Sequence, residues 1–159
     1  MTLQKLNNIQ KSYWDSYIFS LPREMRPLNP TVSASYAGNR EITDELLALY
    51  IKGTKTAGSS VVEDFVTAGD PLPEIDNYWI FLKSNEEPGC ILKTVDIKIH
   101  KFKEVPVAIA VAEGEGDLTL EYWCKVHGEL YSPFLKSWGL STIEDATIIT
   151  EFFSIVYSI

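Results

Sequence analysis

The densest polar cluster in the chain is Glu113-Gly114-Glu115-Gly116-Asp117. Its two glycines allow an unusual backbone, and carboxylates at every second residue point at one spot if the segment is extended. Such a trio suits a divalent cation, a lysine partner or proton transfer. The competing reading is an acidic loop ahead of a helix whose N-terminus welcomes negative charge. Lys55 is the second candidate. It stands just past a helix end, flanked by Thr54, Thr56, Ser59 and Ser60, and a lysine among hydroxyls binds an anion or, if desolvated, serves as a base. Its competing reading is a solvated surface lysine. A cationic loop and a carboxylate loop facing each other across a cleft would assemble an acid and base pair.

Other chemistries fit poorly. Cys124 and His127 have i, i+3 spacing on a helix, but the remaining zinc-capable residues, Cys90 and His100, lie far off on strand-like segments, so no metal is expected. A Ser-His-Asp hydrolase lacks a Gly-x-Ser-x-Gly elbow. His127 beside Trp123 reads as a packed histidine. Trp14, Trp79, Trp123 and Trp138 are able to stack bases, although such residues usually serve core and rim.

The elements that must position these groups follow from periodicity. Leu6, Ile9, Tyr13, Tyr17 and Leu21 recur at helical spacing, and Pro22 ends that helix. Residues 22–40 read as a loop. A second helix is expected from an N-cap at Thr43 to a stop at Gly53. A short helix falls near Val61–Val66. Tyr78–Leu82 and Cys90–Lys103 read as a hairpin with one wet face, Val95, Ile97 and Ile99 opposing Asp96, Lys98 and His100. Val107–Ala112 is strand or helix. Thr119–Trp138 is helical with a break at Pro133, and Ile148–Tyr157 is an interior strand. The order points to an α+β domain round a curved sheet or small barrel.

The chain of 159 residues is about one domain's worth. Its 14 basic and 22 acidic residues give net −8, which disfavours a protein that coats nucleic acid or anionic membrane through bulk charge. The first 60 residues carry 7 basic and 5 acidic groups, the remainder 7 and 17, so the acidic excess lies after residue 60. Two cysteines are too few for a disulfide framework, and no apolar run approaches membrane-spanning length. A cytoplasmic protein is the simplest expectation.

Two segments resemble a known family. Gly53-Thr-Lys55-Thr56-Ala57-Gly58-Ser59 is similar to the Gly-x-Lys-Thr-Ala-Thr-Ala/Ser element of ASCH domains. Glu113-Gly-Glu115-Gly-Asp117-Leu-Thr-Leu-Glu121-Tyr122-Trp123-x-x-x-His127 resembles their Glu-Gly-Glu-Gly-Asp-x-Ser-Leu-x-Tyr-Trp-Arg-x-x-His element. The resemblance covers essentially the whole chain and looks like the longer bacterial type. It implies a PUA-like β-barrel with flanking helices, residues 1–159 as one ASCH domain, and the N-terminal helical segment, residues 1–53, packed on the barrel.

For function, the resemblance implies an RNA or nucleoside-type ligand bound in a cleft beside the barrel, with no cofactor. Some members are ribonucleases, and a shorter branch hydrolyses the acetyl amide of acetylcytidine with a lysine, a threonine three residues later and a glutamate. By position these fall on Lys55, Gly58 and Glu115, so the hydroxyl has to come from Thr56 or Ser59. The basic residue that the short branch carries five positions on is Ser60 here, and the arginine after Tyr-Trp is Cys124. The implied catalytic set is Lys55 as base or anion clamp, Glu115 as proton carrier and Thr56 as hydroxyl. Ser59, Asp117, Trp79 and Tyr122 line the ligand, the last two by stacking. The rivals are a non-enzymatic RNA-binding module using Lys93, Lys98, His100, Lys101 and Lys103, and a metal-dependent ribonuclease using Glu113, Glu115 and Asp117.

Overall fold

The computed structural model describes residues 5–158. Among them five strands form a sheet in the order β1-β3-β4-β5-β2, accompanied by five α-helices, which is the α+β class expected. The chain divides into two compact units. One takes in the chain up to Gly53, Ile75–Val95 and the chain from Phe153; the other is Thr54–Glu74 with Asp96–Phe152.

In the first unit, α1 (Asn8–Ser20) opens with a capping box, the Asn7 side chain accepting from the Gln10 amide at 2.8 Å and the Gln10 side chain accepting from the Asn7 amide at 3.1 Å. That cap turns Gln10 inward and sets the buried face as Leu6, Gln10, Tyr13, Trp14 and Tyr17. Ile9, expected in the stripe, is 65% exposed. The aromatic face packs on Val32, Tyr78, Ile80, Leu82 and Ile91. A strand, β1 (Val32–Tyr36), runs where the sequence reads as loop, parallel to β3 (Tyr78–Leu82) in the register Val32↔Tyr78. Its Ser-Ala-Ser centre has no β propensity to display, so pairing alone makes it a strand.

Helix α2 (Thr43–Lys52) is capped at Ile42, not Thr43. Thr43 is fully buried, accepting from the Ala37 amide at 2.9 Å and donating to the Leu82 carbonyl at 2.6 Å. The helix stops as expected on Gly53, whose φ of 90° lets its amide reach the carbonyls of Leu49 and Tyr50. Strand β3 pairs antiparallel with the N-terminal end of β4 (Pro88–Lys101), the expected hairpin, with a bulge at Phe81/Leu82. The alternation read as one wet face does not hold: Gly89–Leu92 are buried consecutively, while Val95 and Ile99 are 48% and 56% exposed.

In the second unit, β2 (Ala57–Val61) pairs antiparallel with β5 (Thr147–Ser158) in the register Ser59↔Thr150. Strand β5 lies inside the sheet order, as its β-branched sequence predicts. After β2 comes α3 (Val62–Ala68). The undecided segment is a helix, α4 (Val107–Glu113), entered from Pro106 and closed by Gly114 at φ 66°. Thr119 caps α5 (Leu120–Tyr131) by accepting from the Tyr122 amide, and Pro133 falls in a following 3-10 turn, so the helix ends short of Trp138. Ile109, Ala110, Trp123 and Tyr131 bury their side chains with Val61, Phe102, Val105 and Ile148.

Candidate functional site

The second unit holds the site. Lys55 precedes β2, Glu113 ends α4, and Glu115 lies in the turn leading to α5. The two loops touch through their backbones. A Cβ on Gly114 would overlap the Thr54 carbonyl, and at positive φ a side chain is strained there in any case. The Thr56 amide donates to the Ala112 carbonyl at 2.8 Å, tying the lysine loop to the end of α4.

The Lys55 ammonium donates to Glu115 Oε2 at 2.9 Å, to the Glu113 carbonyl at 3.2 Å and to Glu113 Oε1 at 3.4 Å. Two of these acceptors are carboxylate oxygens, so Lys55 is an ion-pair clamp between the two glutamates. The Lys55 and Glu113 side chains are each 3% exposed, whereas that of Glu115 is 21% exposed. The carboxylate that solvent reaches is therefore Glu115.

Glu113 is the hub. Its Oε2 accepts from the Ser59 hydroxyl at 2.7 Å and from the Trp123 indole N–H. Its Oε1 faces Lys55 and, at 3.4 Å, Nε2 of His127. Burial alone would push this carboxyl up, but the hydrogen bond and charge of His127, the charge of Lys55 and the Trp123 indole together hold it down at about 2. Since Ser59 gives its one proton to Glu113, Thr150, opposite it in the register, donates to the Ser59 oxygen at 2.7 Å. The Tyr131 hydroxyl closes this side, donating to the Ser59 carbonyl at 3.1 Å; burial, then the charges of Glu113 and Glu115, push its proton affinity up.

The other residues singled out from the sequence fall as follows. The Thr56 hydroxyl is exposed and donates to the Ala112 carbonyl at 3.2 Å, so Ser59 is the hydroxyl that meets a site carboxylate. Asp117 accepts from the Thr119 hydroxyl at 2.6 Å and the Thr119 amide at 3.0 Å, and these bonds hold its carboxyl below the ordinary range. It shapes the entry to α5. Tyr122 lays its ring against Gly116, where a Cβ would strike it. Trp79 belongs to the first unit, half-buried with its ring 6.2 Å from that of Phe81. Glu113, Glu115 and Asp117 do not converge, and among the described residues no group of three or more His, Cys, Asp or Glu side chains is arranged to hold a metal ion.

A recess of about 220 Å³, counted to its open mouth, is lined by Ala110, Glu113, Glu115, Thr119, Tyr122, Trp123, Val126 and His127. Glu115 and Tyr122 bring it polarity and an aromatic face. The basic stripe on and beside β4 is taken up locally: Lys93 pairs with Asp76 at 3.3 Å, Lys98 with Asp96 at 3.6 Å and Lys103 with Asp145 at 3.7 Å. Lys101 donates to the Asp145 carbonyl and the Thr147 hydroxyl.

Sequence reasoning does not assign the hub. It offers Glu113 as one of three carboxylates suited to a cation, a lysine partner or proton transfer, reads His127 as a packed histidine and Trp123 as a core or base-stacking residue, and gives Thr150 no role. The available signal is spacing, since Trp123 and His127 at i, i+4 share one helix face.

An α+β fold carrying a buried lysine–carboxylate cluster defines the class, and comparison places the chain within it. The ASCH domain family model matches residues 33–157, so the chain belongs to the ASCH domain family. A crystal structure of an ASCH domain from Lactobacillus crispatus JV V101 superposes with a TM-score of 0.90 at 23% identity, covering 99% of each chain. Protein EF3133 from Enterococcus faecalis V583 superposes at 0.76 with 26% identity, over 91% of this chain and 86% of that one. No curated protein matches the sequence. Among the described residues no helix is long and apolar enough to cross a membrane.

Proposed function

We propose that the recess between α4 and α5 binds a nucleoside or a single RNA base, with Glu115 accepting from the base's amino group and Tyr122 offering its ring for stacking. The observation that carries this reading is the 2.9 Å pair of Lys55 and Glu115, which fixes a partly accessible carboxylate at a recess whose other exposed wall is aromatic. An acidic chain whose β4 lysines are already paired offers little for a phosphate backbone.

If the ligand is an N-acyl base, the same pair supports amide hydrolysis. Water adds to the acyl carbon, Glu115 takes its proton and returns one to the departing amine, and the products are the free base and a carboxylic acid. Lys55, buried behind Glu115, sets the carboxylate in place and steadies its charge. The test is calorimetric titration with cytidine and acetylcytidine together with a turnover assay on the latter. Binding that is lost in Glu115→Gln supports the pocket, and turnover lost in the same variant supports the enzyme. No binding by wild type sinks both.

A further inference from the structure

His127 stands on α5 with Nδ1 2.9 Å from the Trp123 carbonyl oxygen and Nε2 3.4 Å from Glu113 Oε1. A carbonyl only accepts, so Nδ1 carries a hydrogen. In a neutral ring Nε2 would then be a bare lone pair facing a carboxylate oxygen. A proton must lie between them, on the ring or on Glu113. The Glu113 bonds decide which. Indole and ammonium nitrogens donate only, Ser59 also donates, and an ionised carboxylate has about four lone-pair sites. Trp123, Ser59, Lys55 and His127 fill them. A protonated Glu113 would carry its hydrogen on Oε1, the oxygen that also receives the Lys55 ammonium, and would leave that buried cation with Glu115 as its counter-charge, whereas the ionised carboxylate accepts from all four.

We infer that His127 is held as an imidazolium, the second cation of the site, and acts as a positioning residue that keeps Glu113 ionised and turned so that Glu113 and Glu115 grip the Lys55 ammonium from two sides. The four charges then sum to zero. Without the His127 charge the buried set would be net negative, which a desolvated cluster tolerates poorly. The Trp123 indole stacks on the imidazole, centroids 4.1 Å apart and planes 15° from parallel, presenting its electron-rich face to a cation. The titratable groups around the ring are Glu113 from α4, Lys55 from the segment before β2, Glu115 on the same recess, and Tyr131 of α5, edge-on at 5.7 Å. A cluster of zero net charge suits an uncharged base better than a phosphate. The consequence for ligand binding rests on the pocket proposed above; the state of the ring does not.

The test is ring-nitrogen NMR on the wild-type protein at pH 7. His100 and His127 are the two histidines of the chain, and His100→Gln assigns their signals. His127 is expected to show two protonated ring nitrogens; a neutral ring protonated at Nδ1 alone overturns the inference. In Glu113→Gln the His127 ring is expected to lose its second proton, and its retention there also overturns it. His127→Gln, which keeps a donor without the charge, is expected to weaken cytidine binding about tenfold or more, whereas unchanged affinity contradicts the positioning role. If wild type binds no nucleoside, the pocket reading fails while the NMR result still judges the ring.

Discussion

The Trp123 indole donates to Glu113 through Nε1 while its face lies under the His127 imidazole and its carbonyl receives His127 Nδ1. One residue thus orients both Glu113, which binds Lys55, and His127, which faces Glu113. A helix displays i and i+4 side chains on one face, so this geometry follows from placing the pair on α5 and aiming that face at the end of α4.

Removing the hub should cost more than removing any partner. Glu113→Ala leaves Lys55 and His127 buried without their shared anion, for an expected loss of about 3–5 kcal/mol. Ser59→Ala removes one hydrogen bond to it, for about 1–3 kcal/mol because the Thr150 hydroxyl is left without its acceptor. Urea unfolding of the two variants checks the ranking; equal losses would mean that Glu113 is not the hub.

Acid should unfold the protein through the same residue. The Glu113 carboxyl sits at about 2 in the folded chain against an ordinary 4.5. Its contribution is therefore fully present above pH 4.5 and lost as the pH falls toward 2. Linkage puts the size at about 3 kcal/mol. In Glu113→Gln the stability between pH 5 and 2.5 should fall less steeply than in wild type, as read by thermal melts across that range.

Gly114→Ala should damage the joint between the loops. The added methyl meets the Thr54 carbonyl, which is backbone and has little room to yield, and the residue is held at φ 66°. Strain of this kind costs about 1–3 kcal/mol. Gly53→Ala keeps a left-handed residue but meets nothing within 4 Å, so it should cost less. Melting temperatures of the two variants separate clash from backbone strain.

Much of the fold is legible in the sequence because it rests on local signals. The helical spacing of α1, the Gly53 stop and the β-branched closing strand are written in residue types. What escapes depends on partners distant in sequence: β1 is a strand only because β3 lies alongside it, and Thr43 looks like a cap until the Ala37 amide and Leu82 carbonyl claim its hydroxyl. At the site, Lys55 and Glu115 can be picked out as a charged pair 60 residues apart. The three acids of the loop look alike in sequence, yet one is buried, one is partly accessible and one binds Thr119. Glu113 still belongs to α4, whereas Glu115 and Asp117 lie in the connection between α4 and α5.

The central claim is that the Glu115 and Tyr122 recess, backed by Lys55, is where a base binds. Backbone amide NMR during titration with cytidine and acetylcytidine tests it most directly. The account predicts saturable shifts centred on Glu115, Thr119, Tyr122 and Val126, abolished in Tyr122→Ala and Glu115→Gln. Shifts centred instead on Lys93, Lys98, Lys101 and Lys103, or no shifts with either ligand, would contradict it.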